Sequence, residues 1–275
     1  MEDRSRRTVL TTGSNSGIGL ATALRAARLG YRSVGTVRSQ AKAEVVHAEA
    51  GKAGVTVETV ILDVNDAEGC ARVVEQVRPW ALVNNAGYGG IGAVEDVGDG
   101  EARDLMETMV FAPMRLTRLA APHMRAAGGG RVVNMSSVFG RTTVPLAGWY
   151  SAAKHALEAV SDALRMEVAS AGIKVVLVEP GGFRTGIWEE VSAQISRRSG
   201  SRYSRSYQRS AAGLRLLQPL MGNPDLVARV VGRALTSRLP HERYLVGLDA
   251  AALTLAQHLS PTSVRDVVTR AGLGL

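Results

Sequence analysis

The sequence predicts an α/β fold: a doubly wound parallel sheet of about seven strands with helices on both faces. Three observations carry this. Short β-rich runs alternate with helical periodicity from Thr8 to Val246. The strand runs are continuously apolar, as in Lys174-Val175-Val176-Leu177-Val178-Glu179, the pattern of strands covered on both faces. A glycine turn, Thr12-Gly13-Ser14-Asn15-Ser16-Gly17-Ile18-Gly19, sits directly between the first strand and the first helix.

The elements follow in order. Thr8 to Thr12 is the first strand, and the glycine turn leads into the first helix. Tyr31 to Val37 is the second strand and Gln40 to Ala53 a helix. Val55 to Leu62 is the third strand, and Asp66 caps a helix that runs to Val77. Trp80 to Asn84 is the fourth strand. A long helix spans about Glu101 to Ala127, with a kink expected at Pro113, which has no N–H to donate. Arg131 to Ser136 is the fifth strand. Tyr150 to Ala171 is an amphipathic helix, with Ala153, Ala156, Leu157, Val160, Leu164 and Val168 at helical spacing. Lys174 to Glu179 is the sixth strand, Asp225 to Ser237 a helix, Tyr244 to Val246 the last strand, and Leu248 to His258 a terminal helix. Residues 186–222 break the alternation. Rich in Ser and Arg with a few apolar anchors, they read as a short helix plus a mobile loop inserted in a single domain that spans 1–275.

Composition narrows the function. A hydrophobic content of 45% suits a globular protein with a sizeable core. Cys70 is the single cysteine, which excludes an internal disulfide and fits a reducing cytoplasm. The N-terminal Met1-Glu2-Asp3-Arg4-Ser5-Arg6-Arg7 has no apolar run behind it that would make a secretory signal. No apolar stretch is long enough to span a bilayer, so no stable membrane insertion is expected. The net charge of +8 admits a nucleic-acid partner, but an aromatic content of 4% leaves few platforms for stacking bases. A basic surface with a site for an anionic cofactor is the expected meaning, with no nucleic acid bound. No metal site is expected.

The motifs supply the chemistry. In the first turn Gly13 permits the tight bend, Gly17 lets the backbone approach a pyrophosphate, and Gly19 lets the helix pack on the sheet. Ser16, Gly17, Ile18 and Gly19 open the helix, whose N-terminal N–H groups and dipole favour phosphate. The acidic residue expected about twenty positions on, which would bind the ribose hydroxyls of NAD, is missing. Arg38 stands in that region instead and suits the 2′-phosphate of NADP(H), with Ser14 and Ser39 as further hydroxyl donors. Asp63 and Val64 end the third strand; Asp63 is placed either to accept from an adenine amino group or simply to cap its loop. Asn84-Asn85-Ala86-Gly87 ends the fourth strand with residues small enough for close approach of the adenosine side of the cofactor.

Tyr150 and Lys154 share a helix face at i and i+4. A free phenol titrates near about 10, too high for ready proton exchange at neutral pH. An ammonium at roughly 4 Å and an effective dielectric of about 20 contributes on the order of 4 kcal/mol, enough to lower that value by a few units. Tyr150 so placed is a general acid/base.

The order Thr-Gly-x-x-x-Gly-Ile-Gly, Asn-Asn-Ala-Gly, Ser, Tyr-x-x-x-Lys, Pro-Gly-x-x-x-Thr resembles the short-chain dehydrogenase/reductase family in its single-domain, NADP-type, Rossmann-fold form, over roughly residues 7 to 186. The resemblance implies that Ser137, thirteen positions before the tyrosine, bonds the substrate oxygen, with Ser136 as the runner-up. It implies that Tyr150 exchanges the proton and that Lys154 lowers its pKa and holds the nicotinamide ribose. Pro180, Gly181, Phe183 and Thr185 would wall the nicotinamide. The sequence departs from the family where an asparagine is usual: the context reads Met109-Val110-Phe111-Ala112. A backbone carbonyl at Met109 would then have to hold the water that joins the lysine to solvent, which implies a slower relay.

Around the implied site lie Val138, Phe139, Val144, Leu146, Trp149 and Trp188, with Pro145 and Phe183 beside them. An apolar, roomy pocket follows, suited to a bulky lipophilic ketone, aldehyde or alcohol, as in hydroxysteroid- and retinol-dehydrogenase-like members. Residues 187–219 form the lid. The helices at 101–127 and 150–172 have a second apolar face, and the resemblance implies that they pair across a two-fold axis, so a homodimer or homotetramer is expected. The alternative is a catalytically impaired NADP-binding sensor or regulator of the same fold, for which Met109 is the only hint.

Overall fold

The computed structural model describes residues 7–275, apart from the side chain of residue 258. The charged segment at 1–6 lies outside the described residues. Seven strands form one sheet in the order β3-β2-β1-β4-β5-β6-β7: β1 (Thr8–Thr11), β2 (Arg32–Val37), β3 (Glu58–Ile61), β4 (Ala81–Asn84), β5 (Gly130–Met135), β6 (Ile173–Pro180) and β7 (Arg243–Val246). Every pairing is parallel. The chain winds outward from β1 in both directions, so a crevice opens beyond the carboxyl ends of β1 and β4, where such sheets bind ligands.

Consecutive strand residues enter opposite cores, which is why the strand runs are apolar throughout. Leu10, Leu82, Val132 and Val175 pack with Leu116, Ala120 and Met124 of α5 (Ala112–Ala126) and with Val73 and Val74 of α3 (Ala67–Val77). Val9, Val83, Val133 and Val176 pack on the other face with Ala26 of α1 (Gly17–Arg28) and with Val227, Val231 and Leu235 of α9 (Pro224–Thr236). A third cluster packs Ala43, Val46 and Ala50 of α2 (Gln40–Lys52) onto Val37 and Val57. Asp66 holds the N-cap position of α3 but makes no side-chain cap bond there; its carboxylate lies 3.4 Å from Arg72.

Three sequence expectations are corrected. The helix expected at 101–127 is two helices, α4 (Asp99–Met106) and α5, joined by a π turn at Glu107–Phe111. There the Ala112 N–H bonds Glu107, five residues back, and Pro113 has no N–H to restore the α register. The short helix expected after 186 is α7 (Ile187–Arg197), but in place of the mobile loop expected with it there is a second helix, α8 (Ser204–Leu217). Tyr207, 1% exposed, anchors them: its hydroxyl accepts from the Ala93 N–H and donates to Asp96. Finally, α10 (Leu248–Leu259) is not terminal, because α11 (Thr262–Leu273) follows it.

Candidate active site

Three strand ends build the site. At the end of β1, Gly13 (φ +67°) and Gly17 (φ +53°) adopt left-handed backbone that other residues rarely take. Gly19 needs its missing side chain more: a Cβ there would stand 2.1 Å from the Gly13 carbonyl oxygen. Ser16 caps α1 without a side-chain bond, so the first N–H groups of the helix have no partner from the cap or from within the helix. Ile18 turns into the core. Ser14 is corrected as a phosphate donor, since it is fully buried and its hydroxyl donates to Thr11 over 2.8 Å. Ser39 instead caps α2, accepting from the Lys42 N–H.

Thr12, which the sequence motif did not single out, joins this turn to the end of β4. Its hydroxyl accepts from the N–H groups of Asn85 and Ala86 at 3.0 and 2.9 Å. The Asn85 amide in turn donates to the carbonyls of Thr12 and Gly13. The Ala86 Cα lies 3.0 Å from where a Gly13 Cβ would sit, and Gly87 is exposed beyond it. Arg38 and Asp63 stand exposed at the ends of β2 and β3. One Asp63 oxygen accepts from the Asn65 N–H, the loop-capping role. Val64 is buried, and its carbonyl accepts from Arg115.

Ser137, Tyr150 and Lys154 converge after β5. α6 (Gly148–Glu167) carries the last two on one face. The Tyr150 hydroxyl is set towards that of Ser137, which acts on its titration. Ser137 is 8% exposed, and its oxygen also accepts from the Phe139 N–H. Ser136 is not paired with Tyr150; it lies beside Gly140 and Glu158. The Phe139 ring stands edge-on to Tyr150 at 6.1 Å. Lys154, 6% exposed, donates to the Met135 carbonyl over 2.8 Å, with its ammonium 5.7 Å from the centre of the Tyr150 ring. Burial is the largest influence on both groups. It pushes the Tyr150 hydroxyl above its ordinary value, and Ser137 pulls it back. Burial also lowers Lys154 to about 8, opposed by the nearby Glu158 carboxylate. Met109 is 1% exposed and packs with Leu105, Val110 and Ala153.

At the end of β6, Pro180 is buried and Gly181 and Gly182 are half-buried. Asp249, which sequence reading missed, accepts from the Gly182 N–H over 2.5 Å. Its carboxylate fills the place where a Gly181 side chain would be. Phe183 is corrected as a side-chain wall: its ring is 3% exposed and lies in the core with Val178 and Val246. Its carbonyl accepts from the Trp188 indole over 2.6 Å. Thr185 meets the glycine turn, its Cγ2 2.9 Å from where a Gly17 Cβ would stand. A cleft of about 350 Å³ opens there between Gly17, Thr185, Trp188 and Gln218. Of the other expected pocket residues, Val144 and Trp149 are half-buried. Val138 is buried, and Leu146, 4% exposed, packs with Ala93 and Tyr207 as core.

Known proteins share this fold. The pattern of the short chain dehydrogenase family matches residues 7–196. Rat retinol dehydrogenase 16 is 32% identical, over 94% of this chain and 86% of its own. The crystal structure of a short-chain dehydrogenase from Streptomyces avermitilis superposes with a TM-score of 0.78 at 34% identity, covering 98% of this chain and 97% of that one. A metagenomic short-chain oxidoreductase in complex with NADP gives 0.70 at 27% identity, covering 89% and 98%. The parallel sheet, the glycine turn and these matches together make the chain a member of the short-chain dehydrogenase/reductase family of oxidoreductases, a fold that binds a nicotinamide cofactor.

Proposed function

We propose that this enzyme interconverts a bulky lipophilic ketone or aldehyde and its alcohol with NADP(H), using Tyr150 as general acid/base. The convergence of Ser137, Tyr150 and Lys154 carries the reading. A dinucleotide fits the residues present. The bare glycines of the first turn and the uncapped start of α1 suit its pyrophosphate. Arg38, exposed and with no carboxylate beside it in sequence, suits the 2′-phosphate. The NADP-bound metagenomic relative and the retinol dehydrogenase point the same way for cofactor and substrate class.

A bound nicotinamide supplies the hydride. Ser137 donates a hydrogen bond to the substrate carbonyl oxygen and steadies charge as it grows there. Tyr150 gives its proton to that oxygen in reduction and removes it in oxidation. Lys154, as an ammonium, favours the phenolate that reduction leaves behind. The ring of Phe139 keeps water from one side of the phenol. The reading includes a homo-oligomer: Phe111 and Met166, 54% and 66% exposed, lie on the segments expected to pair, and light scattering that shows only monomer counts against it.

The test is oxidation of NADPH by the purified protein against a panel of lipophilic ketones and aldehydes. Tyr150→Phe should lose roughly 10²–10⁴-fold in kcat and still bind NADPH. Full activity in that variant removes Tyr150 from the role. No turnover by the parent across the panel, with NADPH bound, favours the sensor reading.

A further inference from the structure

A second cluster of ionisable side chains adjoins the site. Along α6, Glu158 and Asp162 continue the four-residue spacing of Tyr150 and Lys154. Glu158 is 7% exposed and Glu179, on β6, 1%. Arg243, at the start of β7, joins them: its Nε lies 3.1 Å from Glu158 Oε2 and 3.3 Å from Glu179 Oε1, and its Nη2 lies 2.5 Å from Asp162. Arg141, just past the Ser137 loop, holds the other oxygen of Glu179 at 2.8 Å. Asp162 also pairs with Arg165. The Oε1 atom of Glu158 is buried and has no hydrogen-bond partner. Ser136 Oγ is in the same state, and both approach Gly140, where a Cβ would stand 3.2 Å from Oε1 and 2.7 Å from Oγ.

We propose that Glu158 is a positioning residue of this site: its carboxylate, fixed by Arg243, is the counter-charge that keeps Lys154 an ammonium beside Tyr150. The argument rests on the proposed role of Lys154 and begins from burial. A lysine out of water loses its proton unless a negative charge stands near it. The Met135 carbonyl gives Lys154 a hydrogen bond but no net charge. Glu158, buried one helical turn along the same face of α6, is the carboxylate placed to act on it. Glu158 in turn faces the like charge of Glu179, and the arginines from β7 and the Ser137 loop offset that repulsion. One clamp therefore spans α6, β6, β7 and the segment that carries Ser137.

The chain has four lysines, Lys42, Lys52, Lys154 and Lys174, so the Lys154 ε-carbon can be followed by NMR in lysine-labelled protein, with Lys→Arg changes at the other three for assignment. In Glu158→Gln the midpoint of Lys154 should fall by roughly one unit, about tenfold in its proton affinity. Glu158→Asp, which keeps the charge but withdraws it by one methylene, should give a smaller fall and serves if the glutamine variant does not fold. A midpoint unmoved in a variant that keeps its native circular dichroism overturns the proposal, because a merely structural role would change melting and leave the titration in place. The measurement needs no turnover, so an inactive parent sinks the proposed reaction and leaves this result readable.

Discussion

Lys154 donates to the main-chain carbonyl of Met135 over 2.8 Å, across nineteen residues of sequence. Its folded value of about 8, against an ordinary 10.5, makes stability depend on pH. Below about pH 8 both states hold the proton, and the folded protein bears the whole penalty of the buried charge. From about 8 to 10.5 the unfolded chain still holds the proton and the folded one releases it, so this contribution to stability rises with pH. Lys154→Met removes the group. Its advantage over the parent in chemical denaturation should be largest near pH 7, up to on the order of 3 kcal/mol, and shrink as pH rises to 10. An advantage that grows with pH contradicts the assignment.

Arg38 stands exposed at the end of β2. A charge-assisted bond to phosphate contributes about 1.5–3 kcal/mol. Arg38→Ala should therefore raise the KM for NADPH roughly 10–100-fold and leave that for NADH nearly unchanged. Equal losses for both cofactors would show that the guanidinium does not read the 2′-phosphate.

Two glycines make a matched pair. Gly19→Ala drives a methyl to 2.1 Å from the Gly13 carbonyl oxygen and 2.4 Å from the Asn85 amide, and should destabilise by several kcal/mol or abolish folding. Gly51, near the end of α2, has nothing within 4 Å of such a methyl. Gly51→Ala should stabilise by about 0.4–1 kcal/mol. Thermal melts decide both, and a tolerated Gly19→Ala would undercut the close approach of helix and turn.

Met109→Asn sets two effects against each other. The amide enters an apolar cluster with Leu105 and Ala153, so melting should fall by an amount equivalent to about 1–3 kcal/mol. If the missing amide slows the proton relay, kcat should rise severalfold even as stability drops. An unchanged rate and pH profile would show that the departure from asparagine within the π turn is silent.

Much of this was legible in sequence because it is local. Seven apolar runs became seven strands, and Tyr150 and Lys154 share a face through helix geometry alone. The losses are tertiary. The second helix of the insertion, Ser204–Leu217, is tied down where Tyr207 finds Ala93 and Asp96 more than a hundred residues away, and a serine- and arginine-rich stretch gives little sign of that. Ser14 looked like a phosphate donor until the fold turned its hydroxyl back to Thr11. The clamp joining Glu158 to Arg243 spans 85 residues, beyond any motif.

Gln194 of α7 bears on how a ligand gets in and out. Its side chain accepts from the Ile91 N–H at 2.9 Å and donates to the Gly89 carbonyl at 2.6 Å, in a buried setting. The segment above the cleft is thereby latched to the loop after β4. Swinging it aside breaks two shielded bonds at once, and α8 is tied to the same loop through Tyr207, whereas the turn at Gln218–Leu220 carries no such fastening to it among the bonds described. Traffic through the mouth should accordingly pass on the Gln218 side, with the Gln194 side acting as the fixed jamb of the door.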